Sequence, residues 1–263
     1  MCTLALTPKQ YVPVAFLKIR YSTHMQYIPI KTKILVPPQD DMYGVLNESL
    51  GAIQAGDVIL VTSKIVSIYQ GRCIPVAEMD KRALVEQEAD YLIEGSDRHK
   101  TSPLAIKHHA LFYGAGIDES NADGHYILLP DKPFDEAERI WHFLTGKLNI
   151  QNIGVIITDS HSQPLRSGAV GVSIAWWGFH PTESHQGKTD LFNRPLSFST
   201  TNIVDCLAAG GGAVCGETNE STPLVIVRNV PKLRFTKLDT RHEVFRSQQE
   251  DIFYPLLKPF YDQ

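Results

Sequence analysis

Short apolar runs rich in β-branched residues recur along this chain, and they limit its fold more than any other feature. Residues 58–61, 155–157 and 224–227 each have the length and composition of a buried strand. Residues 134–148 carry apolar side chains at helical spacing and follow another short apolar run at residues 127–129. The pattern predicts an α/β fold (mixed α+β) with at least one βαβ unit around this helix.

The remaining segments extend the same alternation. Residues 27–36 and 170–177 are predicted as strands, and residues 79–93 and 203–214 as helices. The second helix contains the three consecutive glycines 210–212, and each glycine costs a helix about 1 kcal/mol relative to alanine. The apolar run at 58–61 is predicted to stop at Thr62 and Lys64 before apolar residues resume.

Composition and charge exclude several classes of protein. The formal net charge is -4 with a pI near 6.2, which argues against a general nucleic-acid binder. No apolar run is long enough to span a bilayer, so no membrane partner is expected. The four cysteines form no CxxC pair and no zinc-like spacing, which is typical of a protein in the reducing cytoplasm.

The two ends of the chain differ from its middle. Residues 1–24 have no sustained period and are interrupted by Pro8 and Pro13, while regular patterning begins just after Met25. We therefore predict a poorly organised leader over 1–24, which translation from Met25 would omit. One domain is predicted over 25–235, with a C-terminal helical tail, 236–263, packing on it.

Polar side chains directly follow two of the predicted strands. Asp159 and Ser160 come after the second apolar run, and Ser63 and Lys64 come after the first. Side chains at a strand's end are held by a rigid scaffold and can still reach a ligand. A lysine there is also a suitable point charge for phosphate. The alternative is that both are ordinary turns, because Asp and Ser are common turn residues.

Two further carboxylates lie at the edges of predicted elements. Asp118 precedes Asn121 in a glycine-rich segment, and Glu217 follows the predicted helix at 203–214. If the fold gathers Asp118, Asp159 and Glu217, their repulsion is relieved by a divalent cation, and hard oxygen ligands favour Mg²⁺ or Mn²⁺. The spacing leaves this convergence open, with loop and turn chemistry as the alternative.

Seven stretches of the chain, taken in order, form a recognisable set: GDVILVTSKIVSIYQGR, GAGIDESN, YILLP, GVIITDSHSQPLRSGAVG, the Gly187–Leu191 loop GKTDL, CLAAGGGAVCGE and PLVIVRN. Together they resemble the coenzyme F420-0:L-glutamate ligase family. The resemblance covers roughly residues 28–230. Residues 244–251 also resemble the family's C-terminal helix.

The resemblance implies a GTP-dependent peptide ligase that attaches L-glutamate to a carboxylate of a phosphate-bearing deazaflavin cofactor, through an acyl phosphate. It implies a mixed α/β fold, in a family whose members usually form an intertwined homodimer. Asp118 and Asp159 match the positions that bind one divalent ion. Ser160 and Glu217 match those that serve a second ion.

The resemblance also implies a guanine-nucleotide site. The matched positions are Ser63, Lys64, Asn121 and the loop 215–222. Within that loop the predicted contacts are Cys215, Gly216, Thr218 and Asn219. Residues 32–35 match another nucleotide contact less clearly. We further predict that Arg166 clamps a substrate carboxylate or phosphate, because its planar guanidinium can donate two parallel hydrogen bonds.

Some residues depart from the family's pattern while the predicted metal ligands remain. Ile68 stands where the family often has lysine, and Ser162, Gln163 and Leu165 replace glycine, arginine and an aromatic residue. Three hypotheses follow. The first is a metal- and GTP-dependent γ-glutamyl ligase acting on the deazaflavin cofactor, folate or another carboxylate metabolite. The second is a nucleotide- or metabolite-binding protein that has lost ligation, and the third is a metal-dependent hydrolase of phosphorylated metabolites.

Overall fold

The computed structural model describes residues 24–93 and 102–261. Its strands are β1 (Gln26–Ile30), β2 (Val58–Thr62), β3 (Cys73–Pro75), β4 (Tyr91–Leu92), β5 (Leu104–Lys107), β6 (Ala110–Tyr113), β7 (His125–Ile127), β8 (Gly154–Ser162), β9 (Ala169–Trp177), β10 (Thr182–Ser184), β11 (Thr200–Asn202) and β12 (Leu224–Arg228). Its α-helices are α1 (Met42–Ser49), α2 (Ser63–Tyr69), α3 (Lys81–Glu88), α4 (Pro133–Leu148), α5 (Ile203–Cys215) and α6 (Tyr254–Tyr261). Short 3₁₀ turns lie at Gly114–Gly116, Arg241–Glu243 and Gln248–Glu250.

A five-stranded sheet in the order β1-β12-β2-β8-β9 forms the centre of the molecule. Strands β2 and β8 are parallel, and the other neighbours in this sheet are antiparallel. The three apolar runs at 58–61, 155–157 and 224–227 are the three central strands, and their side chains are almost fully buried. The predicted mixed α/β fold is confirmed.

Helices cover both faces of this sheet, which explains why the central strands are apolar on both sides. Ile59 and Ile157 point to one face and pack in a cluster with side chains of α1, α2 and α4. Leu60 and Ile156 point to the other face and pack with Leu207 of α5. The alternation follows from the two-residue period of a strand.

The predicted βαβ unit around α4 is wrong in its pairing. Strand β7 precedes α4 but pairs antiparallel with β3 in a separate two-stranded sheet. The parallel neighbour of β8 is β2, which lies much earlier in the chain. The crossover between the two parallel strands therefore contains several other elements, and periodicity within one segment cannot show which distant strand it will meet.

Several predicted boundaries also need correction. The strand predicted at 27–36 ends at Ile30, because its partner β12 begins at Leu224, directly opposite. The helix predicted at 79–93 is limited to α3, and the chain then turns into β4, which pairs with β5.

The apolar residues that resume after Lys64 form helix α2, which the sequence did not predict. Ile65, Val66 and Ile68 are β-branched, and such residues have weak helix propensity. All three are nearly fully buried against the rest of the core. Tertiary packing therefore overrides the local preference and turns Ser63 and Lys64 into the first turn of a helix.

The three consecutive glycines lie inside helix α5, and at two of them a side chain would collide with a neighbour. A Cβ atom on Gly210 would lie 2.3 Å from the Tyr27 hydroxyl, and one on Gly211 would lie 2.2 Å from a methyl group of Leu60. The glycine run thus lets α5 lie close against the sheet, and this packing compensates for the helix propensity that it loses.

Helix α5 begins at a side-chain cap. The Asn202 side-chain oxygen accepts a hydrogen bond from the Asp205 backbone N–H at 3.2 Å. We expect Asn202→Ala to lower the free energy of unfolding by about 1 kcal/mol, the usual cost of a lost N-cap. Urea denaturation measures this change. Asn202→Ser keeps an acceptor oxygen and should recover most of the loss; equal losses in both variants would contradict the capping role.

The C-terminal segment packs on the body of the protein through aromatic side chains. Phe245 stacks on His109 at a centroid distance of 4.2 Å and also contacts Trp176, while Tyr261 of α6 meets Tyr91 edge-on at 5.0 Å. The leader at 1–24 lies outside the described residues except for His24. The division into leader, domain and tail stays a prediction.

The structure also shows the hydropathy of the helices and the state of the cysteines. Among the residues that the structure describes, no helix combines the length and hydropathy needed to cross a bilayer. The described cysteines, Cys73, Cys206 and Cys215, are free thiols. The predicted reducing compartment remains a prediction.

Candidate functional site

An open cavity of about 380 Å³ lies beside the ends of the parallel strands β2 and β8. Its size is within the range of small-molecule sites. The lining residues come from distant parts of the chain: 32–35, 62–65, 68, 118, 120–121, 158–160, 171, 208, 212 and 215–223. Asp118, Asp159 and Glu217, whose convergence the spacing left open, all line this cavity.

Asp159 is held rigidly inside strand β8. The sequence predicted that this strand stops at Thr158, but the strand continues to Ser162 and forms a hairpin with β9. The pairing shifts register between Ile157 and Thr158. Such irregularities re-aim side chains locally. The Ser63 hydroxyl donates to Asp159 Oδ2 at 2.5 Å, and the Ser160 backbone N–H donates to Oδ1 at 2.6 Å.

Burial, followed by the nearby Asp118 carboxylate, raises the pKa of Asp159 to about 7. The hydrogen bonds from Ser63 and Ser160 and the charge of Lys64 act in the opposite direction but do not compensate. A carboxyl group with so high a pKa is costly to ionise in the folded protein, which is a common property of functional sites.

Asp118 is paired with the lysine at the start of α2. Lys64 Nζ lies 3.0 Å from Asp118 Oδ2 and donates to the Ser120 carbonyl oxygen at 2.9 Å. Gly114 and Gly116, which precede this segment, both have positive φ angles, which glycine adopts without strain.

The loop after α5 also lines the cavity. Asn121 Nδ2 donates to the Thr218 carbonyl oxygen at 2.8 Å, which ties this loop to the Asp118 segment. Within the loop, Glu220 accepts hydrogen bonds from the Thr218 backbone N–H and hydroxyl, both at 2.9 Å. The Thr32 backbone N–H donates to Ser221 O at 3.0 Å and brings in the segment at 32–35.

All but one of the predicted site residues line this single cavity. They are Ser63, Lys64, Asp118, Asn121, Asp159, Ser160, Cys215, Gly216, Glu217, Thr218 and Asn219. Arg166 instead lies on the exposed turn between β8 and β9, where its backbone N–H bonds to Gln163 O at 3.2 Å.

Other lining residues were not predicted. Ser120 and Glu220 anchor Lys64 and Thr218, respectively, and Gly171 lies opposite Ser160 in the β8–β9 hairpin. The density of hydroxyl and acidic residues at 216–222 could have indicated Glu220. No local signal in the sequence indicates Gly171, because it packs against helix α5, which lies further along the chain.

The oxygen atoms that line the cavity are of the kind that bind a hard divalent cation. Asp118, Asp159 and Glu217 offer carboxylate oxygens and Ser160 a hydroxyl. The Asp118 carboxylate helps to raise the pKa of Asp159, and a bound cation would relieve this repulsion. Within residues 24–93 and 102–261, no group of three His, Cys, Asp or Glu side chains is already close enough to hold a metal. Asp118 and Asp159 interact electrostatically, and Glu217 lines the same cavity.

The pKa of Asp159 predicts how stability depends on pH without metal. Its pKa is about 7 when folded and about 3.9 when unfolded, so the folded state binds more protons between these values. The contribution of Asp159 to stability is therefore largest below about pH 4, falls as the pH rises from about 4 to 7, and levels off above 7. From this group alone we expect a loss of about 2–3 kcal/mol between pH 5 and pH 8. Urea denaturation in chelator measures it, and an Asp159→Asn variant that kept the same dependence would contradict the assignment.

Comparisons with known proteins match most of the chain to one family. The model of the family described as F420-0:Gamma-glutamyl ligase matches residues 29–229. The chain is 34% identical over 212 residues to the coenzyme F420:L-glutamate ligase of Methanococcus maripaludis, covering 75% of this chain and 84% of that protein. It is 30% identical over 244 residues to the protein of that name from Methanopyrus kandleri, covering 86% of this chain and 95% of that protein.

Proposed function

The chain belongs to the F420-0:gamma-glutamyl ligase family, and from this we propose that it joins L-glutamate to a carboxylate of coenzyme F420-0 or a similar cofactor, using GTP and a divalent metal. One observation carries the proposal: the acidic residues suited to a metal and the residues suited to a nucleotide line the same cavity. A site that brings metal-bound phosphates beside an acceptor is what such a ligase requires.

The proposed reaction has two steps. A carboxylate oxygen of the acceptor attacks the γ-phosphorus of GTP, the bond to the β-phosphate oxygen breaks, and GDP leaves. The product is an acyl phosphate, in which phosphate is now a good leaving group. The amine of L-glutamate then attacks the acyl carbon, an amide forms, phosphate leaves and the amine loses a proton.

The chain's own residues supply positioning and charge. Asp118 and Asp159 would hold the first ion, and Ser160 with Glu217 a second. When bound, such ions neutralise the charge on the phosphates and keep the attacking and leaving oxygens in line. The Ser63 hydroxyl and the Ser160 N–H fix the Asp159 carboxylate in one orientation. Arg166 is proposed to clamp a substrate carboxylate or phosphate from its turn.

The nucleotide is proposed to lie between Lys64 and the loop after α5. Cys215, Gly216, Thr218 and Asn219 line the cavity on that side, and the Asn121 amide holds the loop in place. Gly216 has a positive φ angle, so the loop can turn sharply and expose backbone groups to a phosphate.

A second type of acceptor is supported by an apolar part of the cavity lining. Ile68, which stands where the family often has lysine, is 2% exposed and lines the cavity near Leu35 and Ile65. An apolar wall there suits a ring system rather than a phosphate. Folate or another carboxylate metabolite is therefore the alternative acceptor.

Incubation of the full chain with GTP, Mn²⁺ or Mg²⁺, L-glutamate and either F420-0 or folate tests the proposal. Mass spectrometry should show glutamate added to F420-0, with GDP and phosphate released in equal amounts. Phosphate release that does not depend on the acceptor would favour a hydrolase, and tight GTP binding without turnover would favour a binding protein. ATP in place of GTP tests the choice of nucleotide.

The assembly is proposed to be a homodimer in the cytoplasm. An arm between β10 and β11 carries Leu191, Phe192 and Phe198, which are 96%, 81% and 90% exposed. Large apolar side chains grouped on one projection are typical of a surface that another chain covers. Light scattering after size exclusion tests this proposal: a monomer at micromolar concentration would overturn it. A cytoplasmic location is likewise proposed, because the described cysteines are free thiols.

A further inference from the structure

Two neighbouring residues at the start of α2 occupy both carboxylates proposed to bind the metal. Ser63 donates to Asp159 at 2.5 Å, and Lys64 lies 3.0 Å from Asp118. The Lys64 side chain is 23% exposed, and its second contact is the Ser120 carbonyl oxygen. The ammonium group thus stands where it balances the charge of the acid pair in the absence of a cation.

A divalent cation and this ammonium group compete for the same oxygen atoms. A metal bound to Asp118 uses the lone pairs that now face Lys64, and it also repels the ammonium charge. Lysine is suited to such an exchange because its charge is a compact point on a flexible stem, with no fixed geometry. The cavity offers Lys64 another partner, since the loop at 215–222 lines the same space.

We propose that Lys64 is a built-in counterion that a divalent metal displaces from Asp118, and that the freed ammonium group then binds a phosphate of the nucleotide. The inference rests on the proposed function, because it assigns the order in which that site is filled. Metal and nucleotide then bind with positive coupling, since each favours the arrangement in which Lys64 has left Asp118. The metal therefore binds more weakly without the nucleotide than with it, and the nucleotide binds more weakly without the metal than with it.

Removal of the lysine charge should therefore strengthen metal binding when nucleotide is absent. We expect Lys64→Met to bind Mn²⁺ about 5- to 10-fold more tightly than the wild type, because the competing cation is gone. Saturating GDP should improve the Mn²⁺ affinity of the wild type and improve that of the variant much less. A lysine with only a structural role would produce neither change.

The measurement is the electron paramagnetic resonance signal of free Mn²⁺ during titration of the full chain, with and without GDP. Lys64→Arg keeps the charge and should bind Mn²⁺ no more tightly than the wild type. Lys81→Met is the matched control, because Lys81 pairs with Glu119, beside Asp118, at 3.7 Å and lies outside the cavity lining. Its Mn²⁺ affinity should be unchanged. Lys64→Gln replaces the methionine variant if the latter does not fold.

The possible failures are distinguishable. If folded Lys64→Met and Lys64→Gln bind Mn²⁺ no more tightly than the wild type while the wild type binds Mn²⁺ normally, the counterion role is overturned and the metal site stands. If the wild type binds no Mn²⁺ with or without GDP, the proposed metal-dependent function is overturned, and the counterion role with it.

Discussion

Asp159→Asn is expected to lower the turnover of glutamate ligation by about 10³-fold or more while leaving the fold intact. Removal of a single preorganised group at a site of charge transfer costs about 10²–10³-fold, and loss of a metal ligand adds to this. The fold survives because an amide can keep the hydrogen bonds with Ser63 and with the Ser160 N–H. Turnover is measured by mass spectrometry of the glutamylated product.

The same variant should also be more stable than the wild type at pH 8 without metal, because it no longer ionises a carboxyl group whose pKa is about 7. Lost activity combined with gained stability separates a functional residue from a structural one. Glu119→Gln is the control, since it removes an exposed acid beside Asp118 that does not line the cavity. Normal ligation by Asp159→Asn would remove this residue from the mechanism.

The parts of the fold that the sequence predicts are those in which burial repeats at a regular spacing. Helix α4 has Ala137, Ile140, Trp141 and Leu144 on one buried face, and it matches the predicted helix to within one residue. The central strands are continuous apolar runs. Helix α2 was missed because its β-branched residues favour a strand locally, and only contacts with distant elements make it helical.

The candidate site divides in a similar way. Asp118, Asp159 and Glu217 could be selected because they are carboxylates at the edges of elements, but their meeting depends on the parallel pairing of β2 with β8 and on the position of α5. Residue spacing carries no information on either. Lys64 could be named as a cation near phosphate, whereas its present contact with Asp118 required coordinates.

Close approach between α5 and the β8–β9 hairpin sets the geometry of the cavity, and one glycine permits it. Gly171 lies opposite Ser160, and a Cβ atom on it would lie 2.2 Å from the Ala208 carbonyl oxygen. A helix carbonyl oxygen cannot rotate away, so Gly171→Ala must push α5 off the hairpin. We expect the free energy of unfolding to fall by about 3–4 kcal/mol, at the upper end of overpacking effects.

The displacement should reach the chemistry as well as the stability, because α5 leads directly into the loop that carries Glu217. A misplacement of about 1 Å can cost about 10²-fold in rate, so turnover should fall by that factor even at a temperature where the variant is folded. Gly146→Ala is the matched control: it lies in α4 with open space around it and should gain up to about 1 kcal/mol with unchanged turnover. Urea denaturation measures the stability, and steady-state rates measure the turnover. If Gly171→Ala has the stability and turnover of the wild type, the contact between α5 and the hairpin does not set the distance between Glu217 and the strand that carries Asp159.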